Sequence, residues 1–256
     1  MKYFVVSDVH SFYTPLKTAL DNAGFDPENE NHTFISCGDL FDRGEESAEV
    51  LDFVMSLPRK ILVRGNHESM LMELVNKTRP VGTHDQHNGT LKTIFDLGGA
   101  FKKGFTDSYT NNMKLLRQNE KLKEYFNLLV DYYETEHYLF VHSWVPIMAD
   151  ANGNITYLDY KNANPKRWEE ARWVNPFEEY IYMRDMGESF GKTIVFGHWH
   201  TAEGHARFHN DGISRISPGS YAKGFCNCDI FYDDSVIGLD ACTVVSGKVN
   251  CLVIDD

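Results

Sequence analysis

A chain of 256 residues, 42% apolar and 13% aromatic, can bury a sizeable core, which excludes a mainly disordered polypeptide. Its formal net charge of −12 argues against duplex nucleic acid as a partner, because such partners require a basic footprint to displace counterions from phosphates. Met1 runs at once into the strand-like Lys2-Tyr3-Phe4-Val5-Val6, and no apolar run has signal or membrane-spanning length, so a cytoplasmic protein without a membrane partner is expected.

In chain order, short β-branched and aromatic runs alternate with amphipathic stretches, the pattern of strand and helix units feeding a shared sheet. Strands are predicted over Phe4 to Ser7, Thr33 to Ser36, Ile61 to Val63, Tyr138 to Val141 and Thr193 to Phe196. Between the first two, Thr14 can cap and Pro15 can open a helix whose Leu16, Ala19, Leu20 and Ala23 share a face before Gly24 stops it. A second helix is predicted from Glu45 to Leu57, with Val50, Leu51, Val54 and Leu57 inward. Residues 69 to 135 read as a mostly helical insertion, including a run from Met113 to Val130. The segment 144 to 190, rich in Trp, Tyr, Arg and Asn without a clear period, is expected with that insertion to build the rim of a cleft. Strand character returns in Val236 to Leu239 and Val249 to Ile254, with Ser246-Gly247-Lys248 as a turn between them. With no repeat or linker, residues 1–256 are expected to be one domain. Cys37, Cys226, Cys228, Cys242 and Cys251 contain no C-x-x-C pair, so free thiols are expected, with Cys226 and Cys228 the one pair to check for oxidation.

The first five predicted strands run into residues of metal-ligand type. After the first comes Asp8-Val9-His10; after the second, Gly38-Asp39-Leu40-Phe41-Asp42-Arg43-Gly44; after the third, Gly65-Asn66-His67-Glu68; after the fourth, His142; after the fifth, Gly197-His198-Trp199-His200. Loops beyond the carboxyl ends of strands form the ligand crevice of an α/β sheet, so these residues are expected to converge. Oxygen and imidazole donors without thiolates favour Mn, Fe or Zn over a structural zinc or calcium site, and a central Asp that can be shared is what a two-metal site requires. The glycines Gly38, Gly65 and Gly197 are expected where the chain turns sharply and other groups approach closely.

Taken singly, each element has a plainer reading. Asp8 and His10 serve equally well as a capping pair, His142 as a satisfied core histidine, and Gly-Asn-His-Glu as a turn that caps a helix near Glu68. Together and in this order they would require five independent coincidences, and the joint set is the stronger reading.

These motifs, in the order Asp-x-His, Gly-Asp-x-x-Asp-Arg-Gly, Gly-Asn-His-Glu, His and Gly-His, resemble the calcineurin-like metallophosphoesterase superfamily, and within it the phosphoprotein phosphatase branch. Asn88-Gly89-Thr90, Ile237-Gly238-Leu239-Asp240 and Gly247 look like further segments of that branch. Ser7 and Ser11 stand where the branch has glycines, and His200 is an extra histidine found in other branches. The resemblance implies an α/β fold, a four-layer αββα sandwich of two mixed sheets flanked by helices. It implies two divalent metal ions, with Mn the expected activator and Fe, Zn or Ni as alternatives. Asp8 and His10 would bind the first ion, Asp39 would bridge, and Asn66, His142 and His198 would bind the second. His200, alternating with His198 on extended chain, is expected to complete the first shell.

The implied reaction is attack of a metal-activated hydroxide on a phosphomonoester, with His67 as general acid, Asp42 orienting it, and Arg43 holding phosphate oxygens. The plainer alternative for Asp42 and Arg43 is an ion pair across the turn, and for Glu68 a place in a helix first turn. The family's further phosphate-binding arginine, in the region of Arg172-Trp173-Val174-Asn175, is not in its expected position, leaving Arg172 or Arg184 as substitutes. His84, His87, His205 and His209 are read as surface or rim residues, and Trp144 and Trp199 as pocket wall or core. The expected substrate is a phosphoprotein or small phosphoester. Alternatives are a symmetrical dinucleoside polyphosphate, a phosphodiester or nucleic acid, and an inactive protein-binding scaffold, the last opposed by the full set of ligands.

Overall fold

Strands that end in the motifs lie side by side and parallel, which is why their loops meet. The computed structural model describes residues 1–99, 109–149 and 152–256. One sheet has the order β12-β1-β2-β3-β4, from β1 (Lys2–Val6), β2 (His32–Ser36), β3 (Lys60–Val63), β4 (Leu129–Val130) and β12 (Leu252–Asp255). β1 to β4 are parallel, while β12 closes the edge antiparallel to β1 with Lys2 opposite Asp255. The other sheet has the order β10-β11-β9-β6-β5, from β5 (Tyr133–Glu134), β6 (Tyr138–Phe140), β9 (Thr193–Phe196), β10 (Phe231–Asp233) and β11 (Val236–Gly238). Here β6, β9 and β11 are parallel, and β5 and β10 run antiparallel at the edges. A hairpin of β7 (Met148–Ala149) and β8 (Ile155–Thr156) stands apart.

The buried side chains fall into layers that fit this arrangement. Val5, Ile35 and Val63 of the first sheet pack against Phe140, Val195 and Ile237 of the second, the apolar filling expected between stacked sheets. On the outer face of the first sheet lie α1 (Tyr13–Ala23), α2 (Ser47–Ser56), α3 (Asn66–Val75), α5 (Thr90–Leu97), α6 (Tyr109–Arg117) and α7 (Glu120–Leu128), sharing Leu16, Val50, Leu71, Ile94 and Leu122. On the outer face of the second lie α8 (Pro165–Ala171) and α9 (Pro176–Asp185), through Trp168, Phe177 and Tyr180. Two mixed sheets flanked by helices are therefore the architecture. Among the described residues, no helix is long and apolar enough to cross a membrane.

Several boundaries differ from the sequence reading. Thr14 does not cap α1: Phe12 takes that place without a side-chain bond, and the Glu46 carboxylate, 32 residues on, accepts from Thr14 N at 3.2 Å and Thr14 Oγ1 at 2.7 Å. Gly24 does end the helix, at φ 78°. The run from Met113 to Val130 is two helices and a strand, because the Asn119 side chain accepts from Leu122 N at 3.1 Å and starts a new helix. The stretch 69 to 135, of which 100–108 lie outside the described residues, thus ends in strands β4 and β5 of the two sheets. Between 144 and 190, where 150–151 are not described, Trp144, Tyr157, Tyr160 and Trp168 are core rather than rim. The final strand begins at Leu252 rather than Val249, after the short helix α12 (Thr243–Ser246), which Gly247 ends at φ 68°. The five cysteines are free thiols.

Candidate metal and phosphate site

The loops after β1 and β2 are sewn together by backbone bonds from Asp8 N to Gly38 O at 3.1 Å and from His10 N to Asp39 O at 3.0 Å. They are also strained. Asp8, His10, Asp39, Asp42, Arg43 and His198 all adopt left-handed backbone, with φ between 51° and 73°. Non-glycine residues rarely accept this conformation, and it clusters where surrounding structure enforces a functional geometry. Two glycines serve by absence of bulk: a Cβ on Gly65 would stand 2.1 Å from Asp39 Oδ1, and one on Gly197 2.1 Å from Asp8 Oδ2.

Asp39 lies between two groups of donors. Its Oδ2 faces His10 Nε2 at 3.9 Å and His67 Nε2 at 3.8 Å, while Oδ1 faces His142 Nε2 at 3.5 Å. The ligand atoms of His10, Asp39 and His67 lie within 4.8 Å of one another, as do those of Asp39, His142 and His198. Asp8 joins the first group, with Oδ1 3.8 Å from His10 Nε2 and Oδ2 held by Ser7 Oγ at 2.6 Å and His198 N at 2.9 Å. Asn66 joins the second, with Oδ1 2.9 Å from His142 Nε2. His200 falls in neither group. It stands at the start of α10 (Thr201–Phe208) without a side-chain cap bond, with Nε2 3.9 Å from Oδ2 of the buried Asp240.

This donor set fits divalent cations. The Phe41 carbonyl accepts from His10 Nδ1 at 2.9 Å and the Cys37 carbonyl from His142 Nδ1 at 2.8 Å, which fixes both tautomers and turns each Nε2 lone pair inward. His10 Nε2 is then buried without a hydrogen-bond partner. Asn66 Oδ1 meets only acceptors, an arrangement satisfied by a cation; with protons alone the amide would turn its nitrogen toward Asp39, His142 and His198. Electrostatics agree. Burial holds His10 well below the ordinary imidazole range, helped by the charges of Arg43 and His67, and lowers His142 and His198 to about 3, so all three are neutral near neutral pH, the form in which an imidazole can bind a cation. Burial, Asp240 and Asp39 together push the Asp8 carboxyl up, the crowding of carboxylates that a cation relieves.

His67 differs from the other buried imidazoles. Burial alone would lower it, but Asp39 and the 2.7 Å bond from Nδ1 to Asp42 Oδ2 more than offset that, and it is raised above the ordinary value. Asp42 does not pair with Arg43. Its carboxylate accepts instead from Thr90 Oγ1 at 2.8 Å and Thr93 Oγ1 at 2.9 Å, both from the start of α5. Glu68 accepts from the backbone N–H groups of Asp39, Leu40 and Gly65 at 2.8 to 2.9 Å, a cap spanning two loops.

A cavity of about 590 Å³ opens over this floor, and its lining includes Asn66, His67, His198, Arg43, Trp173, Trp199 and Arg215. Arg172 is not in it, being buried and paired with Glu169 at 2.8 Å and with Asp131. Arg184 lies over the Tyr180 ring. His84 and His200 also line the cavity and His87 a neighbouring groove, whereas His205 is buried against Asp229 O. Ser7, Thr90, Thr93, Asp240, Trp173 and Arg215 are site residues to which sequence reasoning assigned no role. Ser7, standing in place of a glycine, carried a signal, as did Thr90, Asp240 and Trp173 through the family-like segments that contain them, whereas Thr93 and Arg215 carried none; the Ser7 hydroxyl orients Asp8.

Comparison with known proteins agrees with this geometry. Residues 1–214 match the family model for calcineurin-like phosphoesterase. A stretch of 70 residues is 40% identical to serine/threonine-protein phosphatase 2 of Salmonella typhimurium, covering 27% of this chain and 31% of that protein. A stretch of 82 residues is 37% identical to a symmetrical bis(5'-nucleosyl)-tetraphosphatase of Aeromonas hydrophila, covering 32% of this chain and 29% of that one. The matches thus span under a third of these relatives. A solved cold-active protein tyrosine phosphatase superposes with a TM-score of 0.57 at 17% identity, over 99% of this chain and 73% of that one, which establishes a shared fold. With its motifs at the convergent ends of parallel strands in two facing sheets, the chain belongs to the calcineurin-like phosphoesterase family.

Proposed function

We propose that the chain is a dinuclear metal-dependent phosphoesterase acting on a phosphomonoester. The observation that carries this is the division among buried imidazoles: His10, His142 and His198 are held neutral with lone pairs converging on Asp39, while His67 alone is raised and bonded to Asp42. Asp8, His10 and Asp39 would hold one cation, and Asp39, Asn66, His142 and His198 the other. His200 would join the first group by turning from Asp240. When bound, the pair of ions supplies charge neutralisation of the phosphoryl oxygens and acidifies water at neutral pH.

The chain's own groups do the rest. Arg43 offers a planar fork to the phosphoryl oxygens. His67, charged through Asp42, gives its Nε2 proton to the departing oxygen. Thr90 and Thr93 hold Asp42 in place, so the imidazole ring cannot rotate away.

Mn fits the oxygen and imidazole donors, and Fe, Zn or Ni would be accepted by the same set. A dianionic terminal phosphate suits two cations and Arg43 better than a diester, which carries one charge fewer. A second reading, hydrolysis of a dinucleoside polyphosphate, is favoured by the two indoles of the cavity, which can stack a nucleobase, and by the Aeromonas hydrolase among the relatives. Activity of the Mn-loaded protein on p-nitrophenyl phosphate, a phosphopeptide, diadenosine tetraphosphate and bis-p-nitrophenyl phosphate decides between them. The monoesterase reading requires kcat/KM to be highest for one of the first two; a clear lead for diadenosine tetraphosphate reverses it, and no turnover of any refutes both.

A further inference from the structure

In a chain of net charge −12, the cavity is lined by two guanidinium groups, Arg43 and Arg215, and a single carboxylate, Glu203. That carboxylate is already engaged by Asn175 Nδ2 at 3.0 Å, Arg207 at 3.5 Å and Trp199 Nε1. The lining thus carries more positive than negative charge, and with cations bound to the carboxylates of the floor the cleft would attract anions.

The two arginines are mounted differently. Arg43 follows Asp42 in the strained loop beneath the cavity, beside the metal-ligand residues. Arg215 comes from the segment between α10 and β10, beyond the residues that match the family model. That segment is pinned rather than loose. Gly212 bridges Cys226, Ile213 N donates to Phe225 O at 2.8 Å, and the Arg215 carbonyl accepts from Ser220 Oγ at 3.2 Å. Ile216 and Tyr221 pack against Ala202, Cys226 and Cys228. Its neighbours Ser214 and Ile216 also line the cavity. The backbone of Arg215 is therefore fixed, its side chain is exposed, and among the described residues no carboxylate pairs with it.

We infer that Arg215 binds a second anionic group of the substrate, separate from the phosphoryl group that faces His67 and Arg43. The inference rests on the cavity being the phosphoester site, and it makes Arg215 a specificity residue: phosphoesters carrying a further negative charge are selected over those with one phosphoryl group alone. A fixed backbone beneath a guanidinium fork limits the entropy lost on binding, which favours a contact of this kind.

The test uses non-hydrolysable ligands matched except for the second anion. Alkylphosphonates and alkane-α,ω-diphosphonates of increasing spacer length are titrated calorimetrically into the Mn-loaded full chain, as wild type, Arg215→Ala and Arg215→Lys. At least one diphosphonate should bind wild type about 10- to 100-fold more tightly than its monophosphonate, the range for one charge-assisted contact. Arg215→Ala should reduce that preference to within about threefold while leaving the monophosphonate unchanged, and Arg215→Lys should keep part of it. Equal weakening of both ligand types, or no diphosphonate advantage in wild type, overturns the inference. A preference lost with Arg215 in a protein that hydrolyses no phosphoester would refute the proposed function and leave this inference standing.

Discussion

His67 stands apart at the residue scale, because one imidazole among four at the floor offers a proton where the other three offer lone pairs. Replacing it by Ala should lower kcat by about 10²- to 10⁴-fold with metal content unchanged, the range for loss of a general acid. Substrates with very good leaving groups should be largely spared, and an equal loss for good and poor leaving groups would rule the acid role out. Thr93 offers a finer probe, since its hydroxyl donates to Asp42 Oδ1 at 2.9 Å and accepts from Asp42 N at 3.0 Å. Thr93→Val keeps the shape and removes both bonds, so it should cost about 1–3 kcal/mol in a denaturant titration and lower kcat without changing metal content. Ser7→Ala tests the support of the ligands. The hydroxyl donates to Asp8 Oδ2 at 2.6 Å, so its loss should weaken Mn binding by about 10- to 100-fold at unchanged fold, measured by titration against a chelator.

At the scale of elements, the connection from α3 into α4 (Thr83–His87) is tied by one buried carboxylate. Asp85 accepts Arg79 Nη1 at 2.7 Å and Nη2 at 2.8 Å, and Gly82 N at 2.7 Å. Burial pushes this carboxyl up, but the Arg79 fork and the Gly82 N–H outweigh it and hold it below the ordinary value. A depressed carboxyl contributes stability above its unfolded pKa of about 3.9 and loses it as pH falls through the folded value. Asp85→Asn should therefore narrow the stability gap to wild type as pH drops below about 4, and a constant gap would contradict this.

Elements were legible where residue chemistry punctuates them. The strands before Asp8, Asp39, Asn66, His142 and His198 were placed within one or two residues because an apolar run ends abruptly at a glycine or a ligand. The break at Asn119 was hidden because apolar residues recur at three-residue spacing on both sides of it, Met113 and Leu116 and then Leu122 and Tyr125, which reads as one run unless the drift in helical phase is followed. β10 spans Phe231–Asp233, three residues, too few for alternation to register. The ligands announce themselves by type, whereas Trp173 and Arg215 reach the cavity only through the tertiary path of their segments.

At the scale of the whole molecule, the donor set predicts strong linkage between metal and stability. Chelation should lower the melting temperature and Mn should restore it, by about 5–10 °C at a hundredfold excess over Kd, with two ions per chain by elemental analysis. No more than one ion at full activity would refute the dinuclear reading. The two donor groups also have different origins. His10 and His67 ride on the loops of the first sheet, His142 and His198 on those of the second, and only Asp39 belongs to both groups. The centre is a rivet through two plates, and the spacing of its halves is a gauge of how the plates slide. Because Asp39 and Asn66 come from the first sheet while His142 and His198 come from the second, a sub-ångström slip between the sheets reshapes the second donor group and its distance from the first. Trimming the apolar filling, as in Val195→Ala, should then alter the exchange coupling between two bound Mn ions in an electron paramagnetic resonance spectrum, though that side chain touches neither ion.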